Sequence, residues 1–98
     1  MLHIPQDPIH PGQILREEFL ADYGLTLDRV AADTGIDLHE LTAVDNSAAP
    51  VSAEMALRLS RYFSNSPEFW LNLQRTYDLS LALKSAQGLD KISPVRAA

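Results

Sequence analysis

The sequence predicts an all-α domain of five short helices, and three observations carry that prediction. Helix-start signals recur along the chain: Thr26, Asp37, Ser52 and Ser66 each precede a run whose apolar residues fall at helical spacing. Glycines stand where such runs end, at Gly24, Gly35 and Gly88. No stretch keeps the apolar/polar alternation of a half-buried strand, and no segment repeats.

The elements follow in order. Residues 1–9, with Pro5 and Pro8, read as an extended arm. His10-Pro11-Gly12 opens the first helix, with Leu15, Phe19, Leu20 and Tyr23 as its inward stripe and Arg16, Glu17 and Glu18 outside it. Gly24 ends that helix. Thr26 caps a second, from Leu27 to about Asp33, with Leu27, Val30 and Ala31 inward and Gly35 as its left-handed stop. Asp37-Leu38-His39-Glu40 matches a capping box, with Ile36 and Leu41 as its apolar staple, so a third helix runs from Leu38 to about Asp45 with Leu41 and Val44 inward. Asn46 to Pro50 form a loop, because Pro50 disfavours helix at Ala49. The fourth helix spans Ala53 to about Ser64, facing the core with Met55, Leu59 and Tyr62 or Phe63. Ser66-Pro67-Glu68 starts the fifth sharply, since Pro67 needs no amide donor in the first turn and Glu68 faces the positive end of the dipole. Its stripe Trp70, Leu73, Tyr77, Leu81 continues to about Ala86. The organisation is therefore an arm over 1–9, one domain over 10–86 and a loose tail over 87–98.

Composition narrows the function. At 98 residues the chain supports one modest core, and 46% apolar content argues against disorder. Without cysteine there are no disulfides or thiolate metal sites, which suits a reducing cytoplasm. No apolar run approaches the ~20 residues needed to span a bilayer, so no membrane role is expected. Net charge is -5, the wrong sign for a generic nucleic-acid binder. Residues 36–52, where the third helix lies, hold three acidic groups and no basic one. An enzyme would require a concave site with convergent, perturbed groups, and nothing in the chain assembles one. His3, His10 and His39 lack ligand-like spacing, so neither a metal nor another cofactor is expected; His10 belongs to the helix start beside Pro11.

Two short helices joined by Gly35-Ile36-Asp37 give helix-turn-helix geometry, a weak signal by itself in a small helical bundle. Three longer motifs are specific: His10-Pro11-Gly12 with Ile14-Leu15-Arg16-Glu17-Glu18-Phe19-Leu20; Met55-Ala56-Leu57-Arg58-Leu59; and Ser66-Pro67-Glu68-Phe69-Trp70-Leu71-Asn72-Leu73-Gln74. Through them the chain, from His10 to about Leu79, resembles the HigA-type (VapI-like) helix-turn-helix antitoxins. The resemblance implies a lambda-repressor-like fold of the XRE kind. It also implies an antitoxin that silences a small mRNA-cleaving toxin, forms a homodimer and represses its own operon with two recognition helices in successive major grooves. Matched onto the family's third helix, the groove-facing positions are Thr26, Arg29, Leu38, His39, Thr42, Ala43 and Asn46. Phe69, Trp70, Leu73 and Tyr77 read first as plain core, and also as a dimer interface, because the long last helix has more apolar surface than four short ones can cover.

One departure from the family is chemical. Where relatives carry Arg or Lys on the third helix and the loop after it, this chain has Leu38, Ala43, Ala48 and Ala49. Its polar groups there include Asp37, Glu40 and Asp45, and carboxylates repel the phosphates that cations would neutralise. Thr42 and Asn46 remain able to reach base edges, and Ala43 a thymine methyl. Arg29 is the one nearby cation; Arg58 and Arg61 are expected to pair with Glu17, Glu18 or Asp22. Operator binding is therefore expected to be weak, highly salt-sensitive, dependent on the toxin, or absent. The alternative is a stand-alone helix-turn-helix regulator with non-basic readout. The toxin-facing surface is not fixed by sequence, although Asp7, Glu17, Glu18 and Asp22 offer an acidic face to a basic partner.

Overall fold

The computed structural model describes residues 7–96. Helix α1 covers 11–23, α2 Leu27–Thr34, α3 Leu38–Asp45, α4 Ala53–Phe63 and α5 Pro67–Ser85, with a 3₁₀ turn at Leu89–Lys91. No strand occurs among the described residues. Six positions of the expected arm, 1–6, and Ala97 and Ala98 of the expected tail lie outside the described residues, as does His3.

The start signals act as their chemistry requires. Side chains of Thr26, Asp37, Ser52 and Ser66 accept hydrogen bonds from the backbone N–H groups of Arg29, Glu40, Met55 and Phe69. His10 caps α1 in the same way: its Nδ1 accepts the Gly12 N–H at 2.9 Å. Gly24 and Gly35 take left-handed backbone at the ends of α1 and α2, with φ of 63° and 76°.

Helix α1 is not regular. Pro11–Ile14 form an α-helical turn, Leu15–Leu20 widen into a π-helical one, and Ala21–Tyr23 close the helix. In the wide turn the Ala21 N–H reaches back five residues to the Arg16 carbonyl. Nothing in the periodicity announced this.

The core gathers Leu15, Val30, Ile36, Leu41, Val44, Met55, Leu59, Phe63 and Trp70 from all five helices and the turn between α2 and α3. Helix α5 packs on α4, α2 on α3 and α4, and α1 on both α3 and α5. At one end Phe19 lies 4.6 Å from Phe63 and 5.1 Å from Trp70, ring centre to ring centre, so aromatic area supplies much of the burial there. Two expected inward positions turn out: Tyr23 is 61% exposed, and Leu81 also faces solvent. On α5 the buried side chains after Trp70 are Gln74 and Ser80. Gln74 is buried because it is satisfied, accepting the Val51 N–H at 2.8 Å and donating to Asp78 at 2.9 Å.

Candidate nucleic-acid interface

Helix α3 is amphipathic in a way that presents one face outward. Leu41 and Val44 are wholly buried, so Leu38, His39, Thr42, Ala43 and Asn46 lie on the sides away from the core. Leu38, His39 and Asn46 are exposed; Thr42 and Ala43 are half-buried at the flank. The geometry therefore brings five of the sequence-expected groove positions onto one eight-residue helix and its first following residue.

Thr26 and Arg29 stand at the start of α2, and both are already engaged. Thr26 Oγ1 accepts the Arg29 N–H, and Arg29 Nε donates to Asp33 Oδ2 at 2.7 Å. The Tyr62 hydroxyl donates to the same oxygen at 2.6 Å. The Tyr62 hydrogen bond, then Arg29, holds the Asp33 carboxyl below the ordinary range. A phosphate recruiting Arg29 must compete with that carboxylate.

The charge around α3 differs from expectation in three respects. Asp45 is not on the outward face: it is buried against the domain, its Oδ1 has no hydrogen-bond partner, and burial pushes its carboxyl up while Arg16 pulls it down. Only Asp37 and Glu40 remain as exposed carboxylates on the helix. Arg58 does not pair with the first helix. It bonds Glu54 Oε2 at 3.1 Å and, through Nη1, the Thr34 carbonyl at 2.8 Å, which places a guanidinium beside the turn before α3. Arg16 donates through Nη1 to the Asp45 carbonyl at 2.6 Å, at the other end of α3. A helix with no cation of its own is thus flanked by one borrowed guanidinium at each end, which moderates the repulsion read from the sequence.

The loop after α3 is held from two sides. His10 lies beside the Ala49 backbone and packs edge-on against Tyr77 at 4.8 Å. Burial pushes its imidazole below the usual histidine value, with the Ala49 backbone and Asp78 opposing. Gln74 fixes the next stretch at Val51. Sequence reasoning assigned neither Gln74 nor Arg16 to this region; both act across more than twenty positions, and only a buried glutamine on an apolar stripe could have hinted at the first.

Of the four residues expected at a dimer interface, Trp70 is 0% exposed inside the subunit, with Nε1 donating to Asn65 Oδ1 at 3.0 Å. It has no surface to give a partner, and its place is core. Phe69, at 39% exposure, lines a shallow apolar groove with Leu73 and Ile9. Tyr77 is half-buried against His10. No helix of the described residues is long and apolar enough to cross a membrane.

No family model matches the chain. Individual proteins do. Virulence-associated protein I of Dichelobacter nodosus is 37% identical over 87 residues, 89% of this chain and 81% of that protein. The solved structure of the Pseudomonas aeruginosa antitoxin HigA with the higBA promoter superposes with a TM-score of 0.86 at 36% identity, covering 92% of this chain and 100% of that one. An addiction-module antidote protein of the HigA family from Coxiella burnetii gives 0.83 at 39% identity, covering 90% and 98%. With relatives of this kind more than 30% identical over most of both chains, the chain belongs to the HigA-type helix-turn-helix antitoxins.

Proposed function

We propose that this protein neutralises a cognate mRNA-cleaving toxin and represses its own operon from the cytoplasm as a homodimer. The observation that carries the DNA half is the outward face of α3, set in a fold that superposes on a relative solved with promoter DNA. In this reading Thr42 and Asn46 approach base edges, Ala43 and Leu38 make apolar contacts, His39 lines the groove, and Thr26 and Arg29 meet the backbone. The exposed Phe69 and the half-buried Leu73, with the rim of Tyr77, form the dimer contact. Two exposed carboxylates on α3, offset by Arg16 and Arg58 only at its ends, keep operator affinity low and steep in salt, so the toxin assists binding. The acidic outer side of α1, Glu17, Glu18 and Asp22, is exposed and suits a basic, RNA-directed toxin.

Co-expression with whatever small basic protein is found encoded beside this gene tests the main claim. Growth arrest by that protein, relieved by this chain with recovery of a complex, is the expected result; no relief and no complex would remove the antitoxin reading. Gel shifts on the operator at physiological salt, with and without toxin, test the second half. Nanomolar binding by this chain alone would contradict weak, assisted binding.

A further inference from the structure

Helix α3 is gripped from behind at its last turn, by α1. Pro11 and Gly12 are buried there, and a Cβ on Gly12 would fall 1.8 Å from the Val44 carbonyl oxygen and 3.1 Å from that of Asp45. One turn on, Arg16 Nη1 donates to the Asp45 carbonyl at 2.6 Å, satisfying one of the carbonyls that a helix end leaves without an intrahelical donor. Its positive charge also complements the negative end of the α3 dipole. Asn46, the next residue, closes the helix by donating to the Thr42 carbonyl at 3.0 Å. The direction in which Asn46 and Thr42 project is therefore set by how α1 holds Val44 and Asp45, which lie between them.

We propose that Arg16 is a positioning residue for DNA readout: by clamping the Asp45 carbonyl it fixes the C-terminal turn of the reading helix and hence the aim of Thr42 and Asn46. This rests on the DNA-reading role proposed above. Arg16 is suited to positioning rather than to core stability. Its side chain is 47% exposed, and its other charged contact, to Glu17, is long at 3.9 Å. A reading helix of only two turns has few other contacts to hold its end, so a small displacement there misaligns base contacts that demand close geometry.

The test uses the full chain, with toxin present if the wild type needs it. Wild type, Arg16→Met and Arg16→Lys are measured against operator and scrambled duplexes over a salt series, beside their thermal midpoints. Arg16→Met is expected to lose about tenfold on the operator, while affinity for scrambled DNA stays unchanged, so discrimination falls by about 1.4 kcal/mol. Arg16→Lys restores part of it, because one ammonium donor can reach the carbonyl. Base-pair substitutions beneath Asn46 and Thr42 should lose their effect in Arg16→Met and keep it elsewhere in the half-site. Unchanged discrimination overturns the proposal. So does equal loss on both duplexes with a salt slope shallower by about one, which would make Arg16 a phosphate contact. A loss that merely follows the unfolded fraction also overturns it. If the wild type shows no operator preference in either condition, the DNA-reading function fails and this inference with it. If the wild type discriminates and Arg16→Met does so equally, the positioning role alone fails.

Discussion

The two ends of α1 attach to the rest of the domain by opposite means. Its second half inserts Phe19 among Phe63, Trp70 and Phe69, with ring centres 4.6, 5.1 and 6.0 Å away. Its first half brings backbone against backbone, Gly12 on Val44, fastened by the His10 cap and the Arg16 bond. The aromatic end gains from area and has several partners for each ring, so one rearranged contact leaves others. The polar end gains from closeness, which a single added carbon destroys. Bulk holds one end and the absence of bulk the other.

The largest effect expected is at the aromatic end. Trp70→Ala removes the largest fully buried side chain and should cost about 3–5 kcal/mol in urea titrations; a loss near zero would show that the rings are not what anchors α1. Gly12→Ala tests the other end. Overpacking of this kind costs about 1–3 kcal/mol, so one added methyl should rank just below the loss of that much larger group. An unaffected unfolding midpoint would mean the two backbones separate freely, and the contrast would collapse.

Next comes the cap. His10→Ala should cost about 1 kcal/mol at pH 8, where the neutral ring accepts the Gly12 N–H. Because burial lowers the folded-state imidazole below its ordinary 6.5, that contribution is complete above this value and is lost as pH falls through the folded-state pKa. The wild type should therefore lose stability below about pH 6.5 while the variant stays flatter, followed by thermal melts across that range. The smallest change expected is a gain. Asp45 has its folded-state carboxyl raised by burial, so its contribution is fully present only below the ordinary 3.8 and is lost as pH rises through the raised value. Asp45→Asn should raise the neutral-pH melting temperature, with the advantage shrinking toward acid; a lower midpoint at pH 7 would mean that the carboxylate has a role that its surroundings do not reveal.

What was legible in the chain was whatever acts locally. Capping by Thr26, Asp37, Ser52 and Ser66, the stops at Gly24 and Gly35, and the inward Leu41 and Val44 all depend on residues within four positions of one another. What escaped depends on distant pairs. Arg16 meets Asp45 across 29 positions, and Arg58 meets Thr34 across 24. The expectation that Arg58 pairs with α1 failed because Glu54, one helical turn away, and the Thr34 carbonyl lie nearer. Asp45 read as an exposed polar residue because helical phase alone does not show that α1 covers that side of α3 as well.

The π-helical turn at Leu15–Leu20 lies between the two attachments. In a straight α-helix each residue advances the bearing of the side chains by about 100°, so one residue more or fewer would turn everything beyond it away from its target. The wide turn takes up such a residue without breaking the helix, letting Gly12 and Arg16 face α3 while Phe19 faces the rings. Segment length, more than composition, keeps both docking faces in register, and a one-residue deletion there should harm the molecule more than most exchanges of side chain at the same positions.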